Sequence, residues 1–158
     1  MTIEDIEIAV SKHWGIRANV VIPNASWGAG LHECDLLILS TSNYLTEVEI
    51  KTTKADLVKD LTKQHGHRSD KIKRLYYALP DTVLNKNGTK ELVPESAGVI
   101  GVWKSEYGGY SCTIHREATV NKSAKPLIEE ERFAMARLGA MRIWDLKKRL
   151  QRVRGAMK

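Results

Sequence analysis

Asp35, Glu49 and Lys51 are the side chains whose types and spacing could do chemistry together. Asp35 sits at the head of an apolar run, CDLLIL, at positions 34–39. A polar turn at 40–43 follows, and positions 44–51 then alternate, ending Glu47-Val48-Glu49-Ile50-Lys51. This predicts two strands joined by a short turn. Side chains on a strand alternate faces, so Glu47, Glu49 and Lys51 share one face and Val48 and Ile50 the other. With the turn centred near Ser42, antiparallel partner numbers sum to about 84 to 86, which sets Asp35 opposite Glu49 or Lys51. Cross-strand neighbours stand roughly 5 Å apart at Cβ, so two acids and a lysine would meet at one end of a hairpin.

Carboxylates this close repel one another unless a hard divalent cation sits among them. Mg²⁺ or Mn²⁺ takes oxygen ligands, typically one or two carboxylates plus substrate phosphate. Such an ion lowers the pKa of water and neutralises charge building on a phosphodiester. A neighbouring lysine can orient that water or stabilise the transition state. The competing structural reading is a Glu47–Lys51 ion pair on a solvated strand face, which contributes little and leaves Asp35 unexplained.

The order Asp35, then Glu49-Ile50-Lys51 at the end of the next strand, resembles the PD-(D/E)XK nuclease superfamily. Cys34 stands where that motif has proline. The resemblance implies that Asp35 and Glu49 bind metal with the Ile50 carbonyl, that Lys51 serves the nucleophile, and that a glutamate of the first helix, here Glu7, joins the metal site. Residues 91–102, ELVPESAGVIGV, and the stretch from His65 through Leu75-Tyr76-Tyr77-Ala78-Leu79-Pro80 resemble MmcB-like bacterial DNA-repair proteins, a branch of that superfamily. The resemblance spans roughly residues 7 to 117 and fades beyond.

Composition is ordinary for a soluble globular chain. With 158 residues, 42% of them hydrophobic and 28% charged, one core can form. Two cysteines, Cys34 and Cys112, offer no disulfide framework. The acidic start MTIEDIEIAV is unlike a signal peptide, and no apolar run approaches a membrane span. The expected location is therefore cytoplasmic, in a bacterium or a phage-infected cell, and nucleoid-associated when DNA-bound. Charge is unevenly placed. Residues 1–50 hold seven acids against two bases, residues 51–74 eight Lys/Arg against three Asp, and residues 132–158 nine Lys/Arg against one Asp. An acidic pocket between basic flanks suits chemistry on a polyanion.

These residues need positioning elements. Thr2 and Asp5 form a capping-box pair for a helix through Trp14, with Ile3, Ile6, Val10 and Trp14 inward. Glu7 lies at the edge of that stripe, although N-terminal acids also offset the helix dipole. Gly15 ends the helix, and a strand at 17–23 and a loop at 24–30 follow. Glu33 and Glu47 share parity with the ligands and would stand just behind them. Thr53 caps a second helix to about Lys63, with Leu57 and Leu61 inward. A further helical segment is expected near Ser69, then a short strand at 75–79. His32 and Cys34 with His65 and His67 lack the paired spacing of structural zinc. Lys54, His65, His67, Arg68, Lys71, Lys73 and Arg74 are the candidate DNA contacts, against the alternative of solvated basic surface.

A short helix or turn at 81–87 and a strand pair at 97–104 and 110–117 complete the body. Residues 125–154 read as one helix with Met135, Gly139, Ile143, Leu146, Leu150 and Val153 on one face and Arg137, Arg142, Lys148, Arg149 and Arg152 on the other. It is a candidate duplex-gripping arm or dimerisation element. The expected organisation is an α/β nuclease-like domain over 1–120, a restriction-endonuclease-like αβββαβ core with a mixed sheet, and a basic helix over 121–158. The expected activity is metal-dependent DNA hydrolysis in repair, recombination or the processing of phage or mobile-element DNA, and a homodimer would suit cutting two strands. A catalytically silent DNA-binding protein of the same fold is the alternative, and a protein–protein adaptor a more distant one. Lys51→Ala is expected to leave the fold intact.

Overall fold

The computed structural model describes residues 1–26, 31–62 and 69–156. In chain order the elements are α1 (Ile3–Trp14), β1 (Val20–Ala25), β2 (Cys34–Leu39), β3 (Leu45–Ile50), α2 (Lys54–Leu61), β4 (Ile72–Pro80), α3 (Asp81–Leu84), a 3₁₀ turn (Lys90–Leu92), β5 (Gly98–Lys104), β6 (Tyr110–Arg116) and α4 (Glu129–Ala156). The strands make one mixed sheet whose spatial order follows the chain. β1, β2 and β3 form an antiparallel meander, α2 carries the chain to a parallel β4, β5 is parallel to β4, and β6 returns antiparallel.

Local chemistry sets the boundaries. The Thr2 hydroxyl accepts from the Asp5 N–H while the Asp5 carboxylate accepts from the Thr2 N–H, closing the capping box at the head of α1. Gly15 ends the helix in the left-handed region at φ +70°, where glycine is unstrained. Its carbonyl then accepts from the N–H groups of Ala18 and Asn19. That turn delays the strand expected at 17–23, so β1 starts at Val20. The residues before β4 also depart from expectation: no helix begins at Ser69, and the strand runs nine residues from Ile72 to Pro80. The charges of Lys73 and Arg74, with Lys71 just before the strand, hide its start from a hydrophobicity reading. A bulge places Lys73 as an extra residue between the Leu45–Ile72 and Thr46–Arg74 pairs.

One face of the sheet carries a continuous core, in which Leu36, Ile38, Val48, Ile50, Tyr76 and Ile100 pack under Ile6, Ala9 and Val10 of α1. Ile3, expected in that face, is 51% exposed. The other face holds two separate apolar clusters. Ile22, Leu37, Leu39 and Leu45 lie under Met135 and Leu138 of α4. Leu57, Tyr77, Leu79, Val83 and Leu84 pack among α2, α3 and β4. Glu47, Glu49 and Lys51 share parity with Leu37 and Tyr77, which places them between the two clusters.

The helix does not begin at residue 125 but at Glu129; the backbone before it is tied to other elements, by the Lys125 N–H to the Asp70 carbonyl and the Leu127 N–H to the Asn43 carbonyl. α4 then docks through Met135 and Leu138, and Arg142 donates to the Asn24 carbonyl and the Ser26 hydroxyl. Beyond Arg142 the expected apolar stripe is uncovered: Ile143, Leu146, Leu150 and Val153 are 47% to 58% exposed. Among the described residues no helix is long and apolar enough to cross a membrane. This division of α4 predicts that Leu138→Ala lowers the unfolding free energy by about 3 kcal/mol, whereas Leu146→Ala changes it by less than about 0.5 kcal/mol. Urea denaturation of the two variants checks the difference.

Candidate active site

The pairs Leu36–Val48 and Leu37–Glu47 fix the β2–β3 register, and their continuation sets Asp35 opposite Glu49. The ladder stops at Leu36. One step further, the Asp35 carboxylate takes the place of a strand partner and its Oδ2 accepts from the Ile50 N–H at 2.8 Å. The N–H and carbonyl of one strand residue leave on the same side, so the Ile50 carbonyl also faces the Asp35 side, past the last β2 pairing.

Lys51 is the hub. Its ammonium donates to Glu49 Oε2 at 2.6 Å, lies 3.0 Å from Asp60 Oδ1, and reaches Asp35 Oδ2 at 3.4 Å. Lys51, Glu49 and Asp60 are all buried, while the Asp35 side chain keeps 39% exposure. Burial alone would pull the lysine pKa down, but the Glu49 carboxylate, with Asp35 and Asp60, overrides it and holds the ammonium above its ordinary range. The Tyr77 hydroxyl donates to Asp60 Oδ2 at 3.1 Å. Burial and the nearby Asp60 charge keep that phenol protonated.

The face of β3 bearing Glu47, Glu49 and Lys51 is thus interior and not wet, because α2 and α4 cover the sheet on both sides of it. The solvated Glu47–Lys51 pair is not formed. Glu47 is fully buried and its Oε1 lies 2.8 Å from His32 Nε2. Hydrophobic periodicity along α2 points Leu57 and Leu61 inward and does not single out Asp60, yet Leu61 is 38% exposed and Asp60 is buried. The signal was its place three residues after Leu57, on the same helix side. Glu7 is half-buried on α1; burial, then the charges of Glu4 and Asp35, raise its carboxyl pKa. Glu33 is exposed and makes no hydrogen bond or ion pair with the cluster among the described residues.

The basic candidates divide. Lys54 is exposed and donates to the Asn87 carbonyl at 3.0 Å. Lys71 pairs with Glu131 of α4 at 2.9 Å, and Lys73 lies 3.4 Å from the centre of the Tyr44 ring, so both are engaged within the chain. Arg74, with Lys73, Ser69 and Asn121, lines a cleft of about 680 Å³ that opens beside Asp60 and Tyr77. His65, His67 and Arg68 lie outside the described residues.

No family model matches the chain, and comparison with curated proteins finds no match. Among solved structures the chain is similar to a protein of unknown function from Silicibacter pomeroyi, at 20% identity and a TM-score of 0.59, over 94% of this chain and 88% of that one. At that identity the likeness concerns the fold alone.

Lys51 is buried against Glu49 and Asp60, so its removal should cost stability, against the expectation that Lys51→Ala leaves the fold intact. Lys51→Met takes from Glu49 and Asp60 the counter-charge they share. Its unfolding free energy should fall by about 3 kcal/mol, read by urea denaturation at neutral pH.

Proposed function

We propose that the chain is a metal-dependent nuclease that hydrolyses DNA phosphodiesters. The observation that carries this reading is the convergence of Asp35, Glu49 and Asp60 on the Lys51 ammonium at the point where β2 and β3 part. The element order helix, three antiparallel strands, helix, parallel strand supports a restriction-endonuclease-like core. It agrees with the resemblance of Asp35 and Glu49-Ile50-Lys51 to the PD-(D/E)XK motif. The donor set fits Mg²⁺ or Mn²⁺: the Asp35 and Glu49 carboxylates and the Ile50 carbonyl are all hard oxygens, and one carboxylate remains partly open to solvent.

When bound, such an ion supplies charge neutralisation at the phosphate and a more acidic water. The protein's own groups do the positioning. Asp60, itself held by the Tyr77 hydroxyl of β4, anchors Lys51 from the α2 side, and Glu49 first among the carboxylates keeps its ammonium protonated at the Glu49–Asp35 edge. There it can orient a water or meet the charge that grows on the phosphate. Burial among α2, β3 and β4 keeps bulk water from screening these interactions. Arg74 and Lys73 at the cleft, Lys54 at the head of α2 and the basic side of α4 supply the positive surface that a polyanion requires.

A second reading rests on the 2.6 Å Lys51–Glu49 contact. The ammonium already satisfies the ligand carboxylate, as it would in a DNA-binding protein of this fold without turnover. A cleavage assay separates the two. With single-stranded, duplex, flap and four-way DNA in Mg²⁺ and Mn²⁺, the protein should cut at least one substrate. Asp35→Asn and Glu49→Gln should each lower the rate by about a hundredfold or more, with binding of the same DNA kept. Binding that falls steeply with salt and no cutting by any form would establish the silent binder.

A further inference from the structure

A second cluster lies further back along the same two strands. His32 and Cys34 lead into β2, and Glu47 sits in β3. One ligand atom from each, a nitrogen, a sulfur and an oxygen, lies within 4.8 Å of the others. Cys34 and Glu47 are fully buried, and the His32 side chain keeps 12% exposure. We propose that His32, Cys34 and Glu47 form a zinc-class metal site, separate from the all-oxygen set of Asp35, Glu49 and the Ile50 carbonyl.

The donor chemistry selects the metal. Imidazole, thiolate and carboxylate are the ligands of zinc, whereas magnesium and calcium sites are built from oxygen. Tetrahedral zinc, with bonds of about 2.0 to 2.3 Å, sets its ligand atoms roughly 3.3 to 3.8 Å apart. The His32–Glu47 separation of 2.8 Å would open slightly and the sulfur would close in, movements within reach of side-chain torsions. A purely apolar role accounts for Cys34, whose thiol now donates to the His32 carbonyl at 3.4 Å. It does not account for a carboxylate with no exposure beside that thiol. A His–Glu hydrogen bond accounts for Glu47 and leaves the thiol incidental. The metal explains all three. On binding, the Cys34 thiol releases its proton to solvent, the thiolate and the neutral imidazole coordinate, and water takes the fourth position.

The consequence is positional. Such an ion clips the entry to β2 onto β3, and Asp35 follows Cys34 directly while Glu49 is two residues beyond Glu47. A borderline ion would brace the strands that present the hard-ion ligands, whether or not that second site turns over.

The test uses the full chain stripped with a chelator. Zn²⁺ affinity is read by competition with a chromophoric chelator, and Co²⁺ substitution is read by absorption. The expected result is a single equivalent of zinc and, with cobalt, a thiolate-to-metal charge-transfer band in the near ultraviolet. Cys34→Ser should abolish the band, and Cys34→Ser and His32→Gln should each weaken zinc by about tenfold or more. Asp35→Asn should leave both unchanged, which separates this site from the hydrolytic one. Circular dichroism confirms that the variants fold. Absence of zinc binding, cobalt bound without the band, or binding lost in Asp35→Asn but kept in Cys34→Ser would each overturn the proposal.

Discussion

The candidate active site depends on one ammonium held inside a set of carboxylates. A lysine buried alone would lose its proton, and acids buried alone would gain theirs. Brought together from β2, β3 and α2, the carboxylates of Glu49, Asp35 and Asp60 hold the Lys51 ammonium protonated. The arrangement holds only while the sheet is covered on both faces, because the same contacts opened to water would be worth little. The fold is therefore the means by which a small polar cluster is kept dry, and α1, α2 and α4 are its walls.

The place of the cluster follows from topology. β2 and β3 are paired through Leu36, and beyond that point the ladder gives way to the Asp35 side chain. The chain leaves β3 into α2, whose inward Asp60 returns to the lysine, and comes back as β4, whose Tyr77 holds Asp60. Three successive elements thus contribute polar groups, Glu49 and Lys51 from the end of β3, Asp60 from α2 and Tyr77 from β4, to a seam between two apolar clusters. The cleft lined by Arg74 and Asn121 begins at the same seam. A bound phosphate there would meet basic side chains on the way to the acids.

Much of this was legible in the residues themselves. Period-two alternation and a turn near Ser42 set Asp35 opposite Glu49 or Lys51, and the observed Leu36–Val48 register points to the first of these. Thr2, Gly15 and Thr53 marked helix ends through local hydrogen bonds that tertiary packing did not alter. Asp60 was not legible, because a charged residue on a short amphipathic helix is ordinarily solvated and only its buried partner, Lys51, makes the inward position favourable. The start of β4 was hidden by the charges of Lys71 and Lys73, whose partners, Glu131 and the Tyr44 ring, lie far away in the sequence. The stripe on α4 showed an amphipathic helix, but periodicity does not say how far along the chain the covering surface extends.

The central claim is that Asp35, Glu49 and the Ile50 carbonyl hold a divalent cation beside Lys51. Anomalous diffraction from crystals of the full chain grown with Mn²⁺ tests it most directly. The account predicts a manganese peak in contact with the Asp35 and Glu49 carboxylates, with Lys51 still anchored by Asp60. Crystals showing no peak there, with the Lys51–Glu49 contact unchanged in the presence of manganese, would contradict it.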